Sequence, residues 1–135
     1  MDSLDKHAEK KHFRSLPIHE QLSIIENQSN ESNTIIGEIY FSSLFLESND
    51  RKGNNKILAD LLENASLIKD YGIMGMGDVE FRWVFSIRNL FIGICGISYR
   101  GGPLLVGGSY KVYRLDEKQK NAIDIEKITF ALFGH

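Results

Sequence analysis

A single cysteine, Cys95, excludes an internal disulfide, so nothing in this chain asks for an oxidising compartment. Long apolar runs are missing as well. The longest, LFIGICGI at 90–97, is far too short to cross a bilayer. The charged start MDSLDKHAEKKHFR lacks the apolar core of a secretory signal. Together these absences lead to the expectation of a cytoplasmic, soluble protein with no membrane contact. Neither sign of charge dominates: 16 basic against 18 acidic residues give a net charge of −2, which by itself selects neither nucleic acid nor membrane.

The motifs of nucleotide and hydrolytic enzymes are also absent. A phosphate cradle needs a strand, a specifically spaced glycine turn, and a helix whose first amides face the anion. Six of the twelve glycines fall within GICGISYRGGPLLVGGSYKVYRL at 93–115, but with neither the Walker spacing nor the following Lys-Ser/Thr. Gly72, Gly75 and Gly77 are not G-x-G-x-x-G and lead into a strand. The glycines therefore read as architectural, serving bends, bulges or close backbone approach.

Gly108-Ser109-Tyr110-Lys111 is not a nucleophile elbow. Ser66-Leu67-Ile68-Lys69 is a four-residue match to S-x-x-K without companion motifs. Asp78 and Glu80 share a strand edge, but no acid is placed opposite them. His7, His12, His19 and His135 show no helical metal-pair spacing and no cysteine partner, so they read as solvated imidazoles. Cys95, between Ile94 and Gly96-Ile97, reads as a small apolar residue of the interior. The expectation is no catalytic residue, no metal and no cofactor.

What is present is mostly strand pattern. In VEFRWVFSIR at 79–88, Val79, Phe81, Trp83, Phe85 and Ile87 alternate with Glu80, Arg82, Val84, Ser86 and Arg88, the period of a strand with one buried face. LFIGICGISY at 90–99 is apolar on both parities, as in a central strand covered on both sides. A turn at Arg88-Asn89 separates them, with asparagine tolerating a positive φ. A third run, PLLVGGSYKVYRL at 103–115, begins at Pro103. TIIGEIYFSSLFLE at 34–47 tips towards strand through its β-branched and aromatic content.

Helical spacing appears in NNKILADLLENASLIKDYG at 54–72, where Ile57, Leu61, Ala65 and Ile68 form one stripe and Gly72 ends it. PIHEQLSIIENQ at 17–28 reads as a shorter helix with Pro17 in its first turn and Ser15 as a cap. DEKQKNAIDIEKITFALF at 116–133 reads as mostly helix, opening with Asp116 and Gln119 at capping-box spacing. ITFALF within it would equally suit a last strand. The expected fold is α+β: an antiparallel sheet of three to four strands, with its meander over 79–115, packed against helices on both faces. A charged, loosely ordered segment 1–14 precedes a single domain over 15–135.

Charge is unevenly distributed along this fold. Residues 1–78 carry 13 acidic and 8 basic side chains, whereas residues 79–114 carry five basic ones against Glu80 alone. The leading expectation is a non-enzymatic protein that binds another protein. In its concrete form it is an inhibitor or immunity-type protein that neutralises a toxin. Glu26, Glu31, Glu47 and Asp50, in or beside polar loops, would steer a basic partner. The alternative is binding of nucleic acid or another anionic ligand on the sheet through Arg82, Arg88, Lys111 and Tyr113. A small enzyme without a recognisable motif is the third reading.

Overall fold

The alternation around Trp83 produces the longest pairing in the molecule. In the computed structural model, which describes residues 11–28, 35–46, 51–100, 102–115 and 121–134, β4 and β5 run antiparallel in unbroken register from Asp78↔Tyr99 to Ile87↔Leu90. β4 spans Asp78–Ile87 and β5 Leu90–Tyr99. The turn between them lies at Arg88-Asn89 as expected, but the residue with positive φ is Arg88 (51°), not the asparagine. Its side chain accounts for the exception: Nε donates to Glu26 Oε2, and Nη1 lies 3.4 Å from Glu63 Oε2.

The sheet has seven strands, not three to four. Three local causes enlarge it. First, 34–47 is not one strand but two, β1 (Ile35–Tyr40) and β2 (Leu44–Leu46). Second, the expected helix over 54–72 stops early: α2 covers Arg51–Leu61, and β3 (Ser66–Met74) follows. The chain reverses at Glu63 and Asn64, both with φ of 61°. Third, the run 103–115 divides into β6 (Leu104–Val106) and β7 (Ser109–Arg114).

The two divisions face each other. β1 pairs with β7, β2 with β6, and β6 and β7 lie along successive halves of β5, giving the path β1-β7-β5-β4-β3. Between the pairs Gly93↔Lys111 and Gly96↔Val106, β5 advances three residues while its neighbour retreats five. The two extra residues are Gly107 and Gly108. Phe41 N donates to Gly108 O at 2.8 Å, and a Cβ at Gly108 would sit 2.8 Å from the Phe41 carbonyl oxygen. That approach requires glycine.

Even-numbered positions of β5 face the first, larger core. Trp83, Phe85, Leu90, Ile92, Ile94, Leu104, Val106 and Val112 pack there beneath Leu22 and Ile25 of α1 (Ile18–Glu26), Leu58 of α2 and Leu62 just beyond its end. α1 is fastened at both ends. Buried Gln21 brackets Tyr40, accepting from its N–H and donating to its C=O, both at 2.7 Å, and so satisfies the exposed edge of β1. Arg114 Nη1 donates to the carbonyls of Glu26 and Gln28, supplying the cation that the last turn of α1 lacks. Pro17 is the cap residue rather than part of the first turn, and Ser15 bonds to His12 O instead of capping. Of the segment 1–14, residues 11–14 are described. They are helical, and Phe13 packs against the first core.

The second face carries a smaller core: Val84, Phe91, Tyr113 and Leu115 under Ile128 and Leu132 of α3 (Ile125–Phe133). Cover on both faces follows from the two-sided apolar character of β5. The cap of α3 is Asp124, whose side chain accepts from Lys127 N at 3.2 Å; Asp116 and Gln119 lie outside the described residues. The segment ITFALF is helical, not a last strand. Among the described residues no helix is long and apolar enough to cross a membrane.

Candidate functional site

α3 is nine residues long and covers only one end of the second face. It sits directly on Gly93, where an added Cβ would meet Leu132 Cβ at 3.0 Å and the Phe133 ring at 3.1 Å. Past Gly93 the face is open. The burial of β5 records the change: every residue from Leu90 to Ile94 is buried, and thereafter Cys95, Ile97 and Tyr99 are exposed while Gly96 and Ser98 are not.

Where the cover ends, a groove of about 280 Å³ opens between the last turn of α3 and strands β1, β7, β5 and β4. Its polar lining is Glu38, Glu80, Arg82, Cys95, Ser109 and Lys111. The strands explain why these meet. Lys111 lies opposite Glu38 on one side and Gly93 on the other, and Arg82 lies opposite Cys95. Cys95 also stands where β7 gives way to β6, its carbonyl accepting from Gly107 N at 3.3 Å. The groove thus occupies the irregular point of the sheet.

Arg82 is buried, with Nε 3.2 Å from Glu80 Oε1 and its guanidinium 5.6 Å from the Phe133 ring centre. Burial works against its charge, but hydrogen bonds to Glu80 and Tyr71, with their electrostatic attraction, raise its pKa above the ordinary value. Glu38 accepts from the Tyr40 hydroxyl at 3.2 Å. Lys111 is exposed and has no ion pair or hydrogen bond from its side chain among the described residues.

The cysteine departs from expectation: Cys95 is exposed in the groove rather than interior. Its odd-numbered parity on β5 places it away from the first core, a distinction that reading its apolar neighbours alone does not make. Desolvation by the atoms beneath it and the charge of Glu80 push the thiol up, against the smaller pull of Arg82 and Lys111. At neutral pH it rests as the thiol, the wrong form for a nucleophile. Among the described residues no cluster of His, Cys, Asp or Glu is arranged to hold a metal.

Beside the groove lies an apolar row. Phe45 on β2, Leu105 on β6 and Ile97 on β5 are direct cross-strand neighbours on the second face. Phe45 is 68% exposed and Ile97 37%. Tyr99, next along the same face of β5, is 57% exposed.

The residues singled out from sequence are scattered. Glu26 ends α1 and takes the Arg88 guanidinium, so its charge is spent within the fold; Glu31, Glu47 and Asp50 lie outside the described residues. Arg88 belongs to the β4–β5 turn, and Tyr113 is buried under α3. Only Arg82 and Lys111 are brought together. Sequence reasoning missed Glu38, Cys95 and the Phe45–Leu105–Ile97 row. The pairing of 35–46 with 104–113 brings Glu38 and Phe45 to this face, and no local pattern announces it; Cys95 follows from its parity on β5. No protein-family profile, curated protein or solved structure matches the chain.

Proposed function

We propose that this protein acts by binding another protein through the open end of the second sheet face. The observation that carries the reading is the Phe45–Leu105–Ile97 row beside a polar groove, with Phe45 and Ile97 exposed and Leu105 half-buried between them. A phenylalanine left two-thirds exposed in line with two further apolar side chains is a surface that gains by being covered. Covering one such side chain is worth about 1.5–3 kcal/mol. An aromatic anchor with polar groups at its rim is the usual composition of an interface centre. An inhibitor or immunity-type protein directed at a toxin is one form this binding would take.

The nucleic-acid alternative draws less support, because Arg82, Arg88 and Tyr113 are engaged with other parts of the fold. To test the reading, the wild type and Phe45→Arg are used as baits in lysate of the producing cells. A partner held by the wild type and lost with Phe45→Arg supports this surface. Equal retention by both baits eliminates it.

A further inference from the structure

The groove's charges are not equally occupied. Glu80 and Arg82 satisfy each other, and Glu38 receives the Tyr40 hydroxyl. The Lys111 ammonium alone among these four groups has no hydrogen bond or ion pair within the described residues, acting only through its charge on the Cys95 thiol. It stands on the same face as the apolar row, with Cys95 between Gly93, which pairs Lys111, and Ile97, which belongs to the row. Four residues of extended chain span about 13 Å, a distance that an apolar side chain and a nearby carboxylate of one segment bridge.

Resting on the protein-binding reading above, we infer that the surface receives an acidic, amphipathic segment of its partner. An apolar side chain covers Phe45, Leu105 and Ile97, and a carboxylate reaches Lys111. Glu38, paired across the strands with Lys111, competes with that carboxylate. Lys111 therefore sets the selectivity: a neutral segment gains nothing from its charge, and a basic one meets a like charge there.

The chemistry is read with two dyes that share one ring system, 8-anilino-1-naphthalenesulfonate and the uncharged N-phenyl-1-naphthylamine. Both should fluoresce on binding, and Phe45→Ser should abolish both signals while leaving the circular dichroism unchanged. Lys111→Gln should weaken the sulfonate dye about two- to fivefold and leave the neutral dye alone. Glu38→Gln should tighten the sulfonate dye, which a merely structural role for Glu38 does not produce. Acetylated (Leu-Glu)5 should displace the bound sulfonate dye and (Leu-Lys)5 should not.

If Lys111→Gln shifts both dyes equally or neither, the charge inference falls while the protein-binding surface stands. If Phe45→Ser leaves both signals intact, or neither dye binds the wild type, both fall. Failure of the acidic peptide to displace a dye that otherwise behaves as expected would replace the partner segment by a small amphipathic anion.

Discussion

On the first face of the sheet, Trp83, Phe85, Ile92 and Ile94 have no exposed surface left, because α1 and α2 close over them. On the second, the cover ends at Gly93, and the same strand goes on to present Cys95, Ile97 and Tyr99 to solvent. The sequence of β5 allows for both. Its even positions are large and aliphatic up to Ile94, whereas its odd positions pass from Phe91 through Gly93 to Cys95. Stability is thus concentrated on one side, and half of the other is left open. Removing material from the two sides should have effects of different size.

The largest effect belongs to the first face. Trp83 is fully buried and stacks on Phe81 with ring centres 5.6 Å apart. Trp83→Ala should cost about 3–5 kcal/mol in a urea titration. A loss below 1 kcal/mol would mean that this core is not closed. On the second face the corresponding lever is an addition. Gly93→Ala pushes a methyl group against Leu132 and Phe133, and overpacking of this kind costs about 1–3 kcal/mol. The displacement of α3 should also change the near-ultraviolet signal of the packed aromatic side chains. An unchanged midpoint and spectrum would show that α3 does not press on β5.

The same contrast explains what was legible in the sequence. A regular apolar parity announces itself: every odd position of VEFRWVFSIR is apolar, and β4 follows it. Arg82 and Val84 on the other parity are buried as well, so the strand has more than the one buried face its alternation predicts. β3 does not announce itself. A register shift between Leu67 and Lys69 breaks its period of two, and Leu67 and Ile68 are both exposed on this edge strand. Ile57, Leu61, Ala65 and Ile68 then fell by chance on a helical stripe that runs across a real turn. The signal available was Asn64, a residue that tolerates the left-handed region the turn requires. The candidate site was less legible still. Glu38, Lys111, Cys95 and Arg82 come from four strands, and their meeting depends on the paired interruptions at 41–43 and 107–108.

The smallest expected effect tests the open face without removing anything from it. Cys95 is the chain's one cysteine, so alkylation by iodoacetamide reports on the groove alone. Partial desolvation by the groove walls and the charge of Glu80 hold its pKa above the ordinary thiol value although the residue is exposed, so at pH 8 the folded protein should react several-fold more slowly than the urea-unfolded chain. Glu80→Gln removes a cause of the upward shift and should quicken the reaction; Lys111→Gln removes an opposing pull and should slow it. Linkage gives the matching sign for stability. A thiol raised on folding contributes stabilisation that is complete below its unfolded value of about 8.5 and is lost as pH rises through the folded value. The urea midpoint should therefore decline slightly more steeply above that pH in the wild type than in Cys95→Ser. Equal alkylation rates in the folded and unfolded chains would show that the sulfur feels neither the groove nor its charges, and the open half of the second face would then be a flat surface.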